Sequence, residues 1–220
     1  MKSCYCLAVL FCLFVASSGW SQIWELRGAY EADYPKGTLW RGRADGGEIK
    51  LVHWWQPSGF GIALAGGSVR WKVRDYTIID AGSYSDSLSG EATYFPLGLS
   101  ALLQAALAEN PGFITTFEAG FRYMQCDGDM RLTRRSEIPG EPTRIETYPL
   151  TCDDGIVGRI AAGVEVIVRE GRQPTTFFAN LGYQFDLSKG KAFNEGWPRF
   201  EQELSLDATF IQLGFAIPLQ

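Results

Sequence analysis

The feature that most constrains this chain is the alternation of its connections. From Trp24 to Leu219, segments of about ten residues with period-two hydrophobicity are joined by a tight turn, then a long polar stretch, then a tight turn again. The tight turns are QPSG (56–59), AENPG (108–112) and EGRQP (170–174); the long, Gly- and charge-rich connections occupy 35–47, 74–90, 126–154 and 188–200. Eight strands joined this way have turns at one end and large loops at the other. The pattern predicts an all-β chain: a closed, up-and-down, antiparallel eight-stranded transmembrane barrel with short periplasmic turns and long extracellular loops.

The two faces of each segment bear on what lies inside. Side chains in a strand alternate. Over Thr175–Leu187, Phe177, Ala179, Leu181, Tyr183, Phe185 and Leu187 share one face, and Asn180, Gly182, Gln184 and Asp186 share the other. Ile160, Ala162, Val164, Val166 and Val168 likewise oppose Arg159, Gly163, Glu165 and Arg169. Phe113, Phe117, Ala119, Phe121 and Tyr123 oppose Thr116, Glu118, Gly120 and Arg122; Trp24, Leu26, Tyr30 and Tyr34 oppose Glu25, Arg27, Glu31 and Asp33.

A soluble barrel would turn an aliphatic face inward and a Lys- and Glu-rich face outward. Here the polar face mixes charges with Gly and Ala, which suit a narrow bore. The aromatic content, 14%, is high, and the rings fall mainly near strand ends. Trp24, Trp55, Phe60, Phe113 and Phe177 lie at the turn end, and Tyr34, Trp71, Phe95, Tyr123 and Phe185 near the loop end. Two such rings match the aromatic girdles at two membrane interfaces.

Three segments are less regular. In 60–73, Phe60, Ile62 and Leu64 share one parity while Val69, Trp71 and Val73 continue on the other, so Gly66-Gly67 predicts a bulge. A similar slip is expected around Thr209 to Ile211, and in Glu48–Trp55 the single histidine, His53, falls on the outward parity with Ile49 and Leu51. The run at 97–112 also fits an amphipathic helix with an Asn-Pro-Gly stop, although eight strands require it as a strand.

Twelve charges are then placed in the bore: Glu25, Arg27, Glu31, Glu48, Lys50, Arg70, Lys72, Glu118, Arg122, Arg159, Glu165 and Asp186. These six acids and six bases can pair, and unpaired burial is costly. A salt-bridged plug is the first expectation, and a narrow polar conduit for ions the second.

The N-terminus reads as an address. Lys2 precedes the apolar run Cys4–Ala16, and small residues follow to Ser21, the layout of a secretory signal peptide. Residues 1–21 are therefore expected to be removed, with cleavage after Ser18 as the alternative, leaving 22–220 as one barrel domain. Removal leaves only Cys126 and Cys152, which flank the longest loop; in an exported protein they are expected to form a disulfide, with two unpaired thiols as the alternative.

The chain closes on FIQLGFAIPLQ, in which Gln212, Gly214, Ile217 and Leu219 fit polar-x-Gly-x-x-apolar-x-apolar. This resembles the C-terminal signal by which bacterial outer-membrane barrels are recognised for insertion, although members usually end on an aromatic residue and this chain has Pro218 within the motif. With the signal and the strand pattern, the chain resembles the small eight-stranded outer-membrane barrels of the OmpA/OmpX class, over nearly all of Trp24–Leu219. The resemblance implies the outer membrane of a Gram-negative-type bacterium. It also implies outer-membrane lipid and the barrel-insertion machinery as partners, and the barrel-only OmpX-like form, since little sequence follows the last strand.

Catalysis and cofactors are not expected. Some barrels resembling this one modify lipid A with a His, a Ser and a carboxylate or amide, yet His53 has Val52, Trp54 and Trp55 beside it. A zinc site lacks ligands, and Asp127, Asp129, Asp153 and Asp154 read as solvated loop acids rather than a calcium site. Net charge of −5 argues against nucleic acid. What remains is a non-catalytic membrane barrel with a structural or surface-interaction role through its loops. A small porin-like pore and a soluble, exported, lipocalin-like ligand-binding barrel are the alternatives.

Overall fold

A computed structural model describes residues 22–36, 40–55, 58–73, 76–80, 84–106, 112–136, 142–169, 175–194 and 200–219. The expected signal segment, 1–21, lies outside them, as does Trp197. Eight long strands alternate in polarity along their length: β1 (Gln22–Pro35), β2 (Ala44–Trp55), β3 (Phe60–Lys72), β5 (Tyr84–Ala106), β6 (Phe113–Ser136), β8 (Gly155–Arg169), β9 (Thr175–Ser188) and β12 (Ala208–Leu219). Four shorter strands complete the set: β4 (Tyr76–Asp80), β7 (Arg144–Cys152), β10 (Gly190–Asn194) and β11 (Phe200–Leu204).

The long strands pair in sequence order, all antiparallel, and β12 closes on β1 from Trp24↔Leu219 to Pro35↔Ala208. Closure matters physically because a strand edge in lipid would leave its N–H and C=O groups without partners. The pairing likewise decides Leu97–Ala106 against a helix, and 107–111 lie outside the described residues. Leu97–Ala106 is the lower part of β5, bonded on one side to β3 (Leu103↔Phe60) and on the other to β6 (Leu103↔Phe117). A helix there would strand both neighbouring ladders.

Outward positions carry Leu26, Ile49, Leu64, Leu97, Phe117, Ile160, Leu181 and Leu213, all exposed, in a belt around the barrel. Its lower rim has Trp24, Trp55, Phe60, Phe113 and Phe177, and its upper rim Tyr30, Tyr34, Phe95, Tyr123 and Phe185. Trp71 is not in the upper rim: it is buried inside.

Two expected irregularities are absent from the ladders. The β2–β3 register runs without a shift from Asp45↔Arg70 through Gly47↔Ser68 and Ile49↔Gly66 to Trp55↔Phe60, so Gly66-Gly67 is not a bulge. The β12 ladders likewise pass Thr209–Ile211 without a slip. What changes at these points is the surroundings, not the parity. Above Gly66, Val69, Trp71 and Val73 stay inward but now meet an apolar core, while Ser68, Arg70 and Lys72 stay outward and exposed.

The long connections are also more ordered than loops. β4 pairs with the upper part of β5, the upper part of β6 pairs with both β5 and β7, and β10 joins β7 to β11. The described residues within 74–90, 126–154 and 188–200 thus build a raised sheet, in the order β4-β5-β6-β7-β10-β11, above the barrel mouth.

Candidate functional site

The bore is filled in two tiers. The lower tier is an ion-pair lattice with a small apolar cluster, Val52, Trp54, Ala63 and Leu102, set into its turn end. Arg122, fully buried on β6, donates from Nε to Glu48 (3.0 Å), from Nη2 to Glu118 (3.0 Å) and from Nη1 to Ser100 (2.8 Å). Lys50 bridges the same two carboxylates, Glu48 and Glu118. Arg159 grips Glu31 with both terminal nitrogens, at 3.2 and 2.9 Å, while its guanidinium carbon lies 3.7 Å from the centre of the Phe210 ring. The Gln212 side-chain amide donates to both Glu31 and Glu48, tying the two groups together.

Nearer the turns, Arg27 pairs with Glu25 and with Glu165 (2.6 Å), and Gln104 donates to Glu165 as well. Trp54 and Phe178 each lie 5.4 Å from the Arg27 guanidinium. Such a lattice needs room, and glycines provide it. A Cβ at Gly98 would fall 2.3 Å from Cδ of Arg122, and one at Gly182 2.2 Å from the Phe210 ring.

Nine of the twelve charges placed in the bore by sequence come together there: Glu25, Arg27, Glu31, Glu48, Lys50, Glu118, Arg122, Arg159 and Glu165. Three do not. Arg70 and Lys72 point outward above the belt, where Arg70 faces Glu91. Asp186 is half-buried at the top of β9, where it accepts the backbone N–H of Leu206 (2.8 Å). The sequence reading missed Asp33, which is fully buried and whose two carboxylate oxygens have no hydrogen-bond partner among the described residues. Its signal was visible, since Asp33 shares parity with Glu31 and Arg27. Among the described side chains the interior therefore holds six acids to four bases, not six to six.

The upper tier is apolar. Trp40, Trp71, Val69, Tyr94, Met124, Met130, Leu132, Leu204 and Leu206 form one buried cluster across the mouth. Trp40 and Trp71 meet edge-on at 5.0 Å, Tyr94 lies 5.9 Å from Trp71, and the Trp40 indole donates to the Ser205 carbonyl. Cys126 and Cys152 form a disulfide, with Cα atoms 5.9 Å apart, and pack against this cluster, fastening β6 to β7 at the base of the raised sheet. On the outer side of that sheet Lys189 hydrogen-bonds Glu203 and holds its carboxyl below the usual range.

His53 does keep the outward parity of Ile49 and Leu51, yet it is buried: the rings of Trp24 and Trp55 cover it at 4.5 and 4.6 Å. Of the C-terminal motif, Gln212 is inside the lattice, Gly214 lies against Phe178, and Leu219 is exposed beside Trp24 in the ladder. Among the described residues no cluster of three or more His, Cys, Asp or Glu is arranged to hold a metal ion.

Solved structures with a similar fold are outer-membrane proteins. A major outer membrane protein from Thermus thermophilus superposes with a TM-score of 0.50 over 90% of this chain and 100% of its own, at 11% identity. The fold is that of the small eight-stranded outer-membrane barrels. Neisserial surface protein A is similar at a TM-score of 0.43 and 12% identity, over 92% of this chain and 99% of that one. Ail, the attachment invasion locus protein of Yersinia pestis, is similar at 0.41 and 10%, over 90% and 97%. No family model and no curated protein matches the sequence.

Proposed function

We propose that this chain is a non-catalytic protein of the outer membrane of a Gram-negative-type cell envelope, with a structural or surface-interaction role carried by the raised extracellular sheet. The observation that supports this reading is the double filling of the bore: the Arg122–Glu48–Glu118–Lys50 lattice below, and the Trp40–Trp71–Tyr94 group above. Burying charges is costly unless they are paired, and here Arg122 of β6 reaches Glu48 of β2 and Arg159 of β8 reaches Glu31 of β1 across the bore. A surface built on a rigid scaffold is a common place for binding, so the raised sheet is the expected contact for an unknown surface partner. His53, packed between two indoles, fits a structural role better than a reactive one.

The reading carries two further partners. Outer-membrane lipid surrounds the exposed belt, and the barrel-insertion machinery reads β12 through Gln212, Gly214, Ile217 and Leu219. A lipocalin-like role is disfavoured because the charged groups face in and the apolar groups face out. A small cation-preferring pore is the second reading, favoured by the interior ratio of six acids to four bases.

Planar-bilayer recording on the refolded protein separates the two. The first reading expects little or no steady conductance. Large, reproducible, cation-selective steps would overturn it in favour of the pore. Solubility without detergent, with the same mobility boiled and unboiled, would overturn both.

A further inference from the structure

We propose that the raised sheet pairs edge to edge with a second copy of this chain, through the outer half of β7. This names a partner for the surface-interaction role proposed above and rests on that reading. β6 covers one side of β7 from Arg144 to Leu150, whereas β10 meets the other side only at Thr151 and Cys152. Among the described residues the second side of 144–150 is therefore an open edge, and open edges template further strands. The β10–β11 hairpin cannot climb far enough to cover it. Phe193 lies level with both Thr151 and Glu201, and the chain between Phe193 and Glu201 spans about 27 Å when fully extended. Reaching Glu146, about 17 Å beyond Thr151, and returning would need about 34 Å.

The backbone direction at this edge follows from Pro149. Proline has no N–H, so within a ladder its nitrogen faces away from the paired neighbour. Pro149 stands opposite Arg131 of β6, which turns its nitrogen to the open side. Backbone groups two residues apart point the same way, so Ile145 and Thr147 offer their N–H and C=O groups to the open edge. Pro149 also ends the usable stretch. Arg144, Ile145, Glu146 and Thr147 are all exposed. Ile145, at 66%, is the most exposed large hydrophobic side chain among the described residues, and it stands well above the apolar belt.

This stretch is complementary to itself. In an antiparallel pair centred on Ile145, each Ile145 exchanges both backbone bonds with its counterpart, and Arg144 of either copy stands opposite Glu146 of the other. The two Ile145 side chains meet on the outer face, and two Arg–Glu pairs form on the inner face. Glu146 accepts a hydrogen bond from Tyr148, while Arg134, opposite it on β6, is taken up by Asp86 at 2.8 and 2.6 Å. The Glu146 carboxylate is thus left to receive a new cation. Antiparallel pairing turns the second barrel upside down, because barrel strands run steeply through the membrane. The partner copy therefore sits in a facing membrane, and the contact joins two cells. One short ladder is weak, and many copies acting together make it effective.

Refolded protein in phosphatidylcholine vesicles of two colours tests this. Tethering is read as dual-coloured particles, and boil-sensitive gel mobility reports the barrel in every variant. Wild-type vesicles should tether one another. Arg144→Glu alone and Glu146→Arg alone each set like charges opposite one another, and should lower tethering about tenfold or more. Mixing the two single variants should restore it, and the double variant Arg144→Glu/Glu146→Arg should tether to itself but not to the wild type. Single variants that tether like the wild type, or a mixture that fails to recover, would overturn the proposal. So would wild-type vesicles that stay apart, or that tether only when another protein is added; the surface role would then stand with a different partner. Loss of boil-sensitive mobility in the wild type would instead sink the membrane reading, and large conductance steps the surface role itself.

Discussion

The two halves of β3 obey opposite rules. In its lower half Ala65 lies beside Lys50 of the lattice and Ala63 packs with Val52, Trp54 and Leu102 at the turn end, while Ile62 and Leu64 face outward. In its upper half Val69 and Trp71, and Val73 just beyond it, face an apolar interior while Ser68, Arg70 and Lys72 face outward. The register never shifts between them. β6 repeats the pattern: Glu118 and Arg122 point in below, and Met124, Met130 and Leu132 point in above, with Asp127, Asp129 and Arg131 outside. The outer solvent sets the sign. Where lipid covers the outside, apolar side chains gain nothing by being inward and the charges collect in the bore. Where water covers it, the ordinary hydrophobic core returns. On the proposed outer-membrane reading, one continuous strand thus passes from lipid into water.

Substitutions sharpen this comparison. Arg122→Leu should have the largest effect, about 3–5 kcal/mol, because it leaves Glu48 and Glu118 short of a buried partner. Chemical unfolding in detergent, read by boil-sensitive mobility, measures it; a loss under about 1 kcal/mol would show that the lattice is not what holds the lower tier. Replacing Cys126 and Cys152 by Ser should cost about 3–4 kcal/mol of loop-closure stabilisation. That loss should fall on the upper tier alone: proteolysis of 127–151 should accelerate while the barrel still resists SDS unboiled.

Smaller effects separate outside from inside. Leu181→Arg, in the exposed belt, should destabilise by about 2–4 kcal/mol in lipid, whereas Arg70→Leu above the rim should change stability by no more than about 0.5 kcal/mol. Equal costs at the two positions would contradict the boundary drawn between them. The smallest effect is expected at Asp33. Its carboxyl oxygens lack hydrogen-bond partners among the described residues, so Asp33→Asn breaks no bond and should be neutral or slightly stabilising in the same unfolding assay.

The sequence made the lower tier legible and misled about the upper one, for a single reason. Period-two alternation with Leu, Phe and Val against Glu, Arg and Gly is visible in segments such as 113–123 and 159–168, and it led to the belt, the closed barrel and nine interior charges. The same alternation in Val69–Lys72 carries the opposite assignment, and no local residue marks where water replaces lipid. Gly66-Gly67 drew attention as a bulge because a bulge is the local way to change faces; the change is instead one of environment. Asp33 was passed over although it follows Glu31 on the same face, and Asp186 was placed inside when it caps Leu206. The raised sheet was hidden because its polar outer residues read as loop.

Accessibility along β3 tests the central claim most directly. The two cysteines of 22–220 are tied up in the Cys126–Cys152 bridge, so single cysteines can be introduced into 22–220 from Ile62 to Val73 and spin-labelled in lipid bilayers. The account predicts that 62 and 64 are reached by oxygen dissolved in the bilayer, that 68, 70 and 72 are reached by a water-soluble nickel reagent, and that 63, 65, 69, 71 and 73 are reached by neither. Water accessibility at 69, 71 and 73 with protection at 68, 70 and 72 would mean that the strand turns over at Gly66-Gly67, and would contradict it.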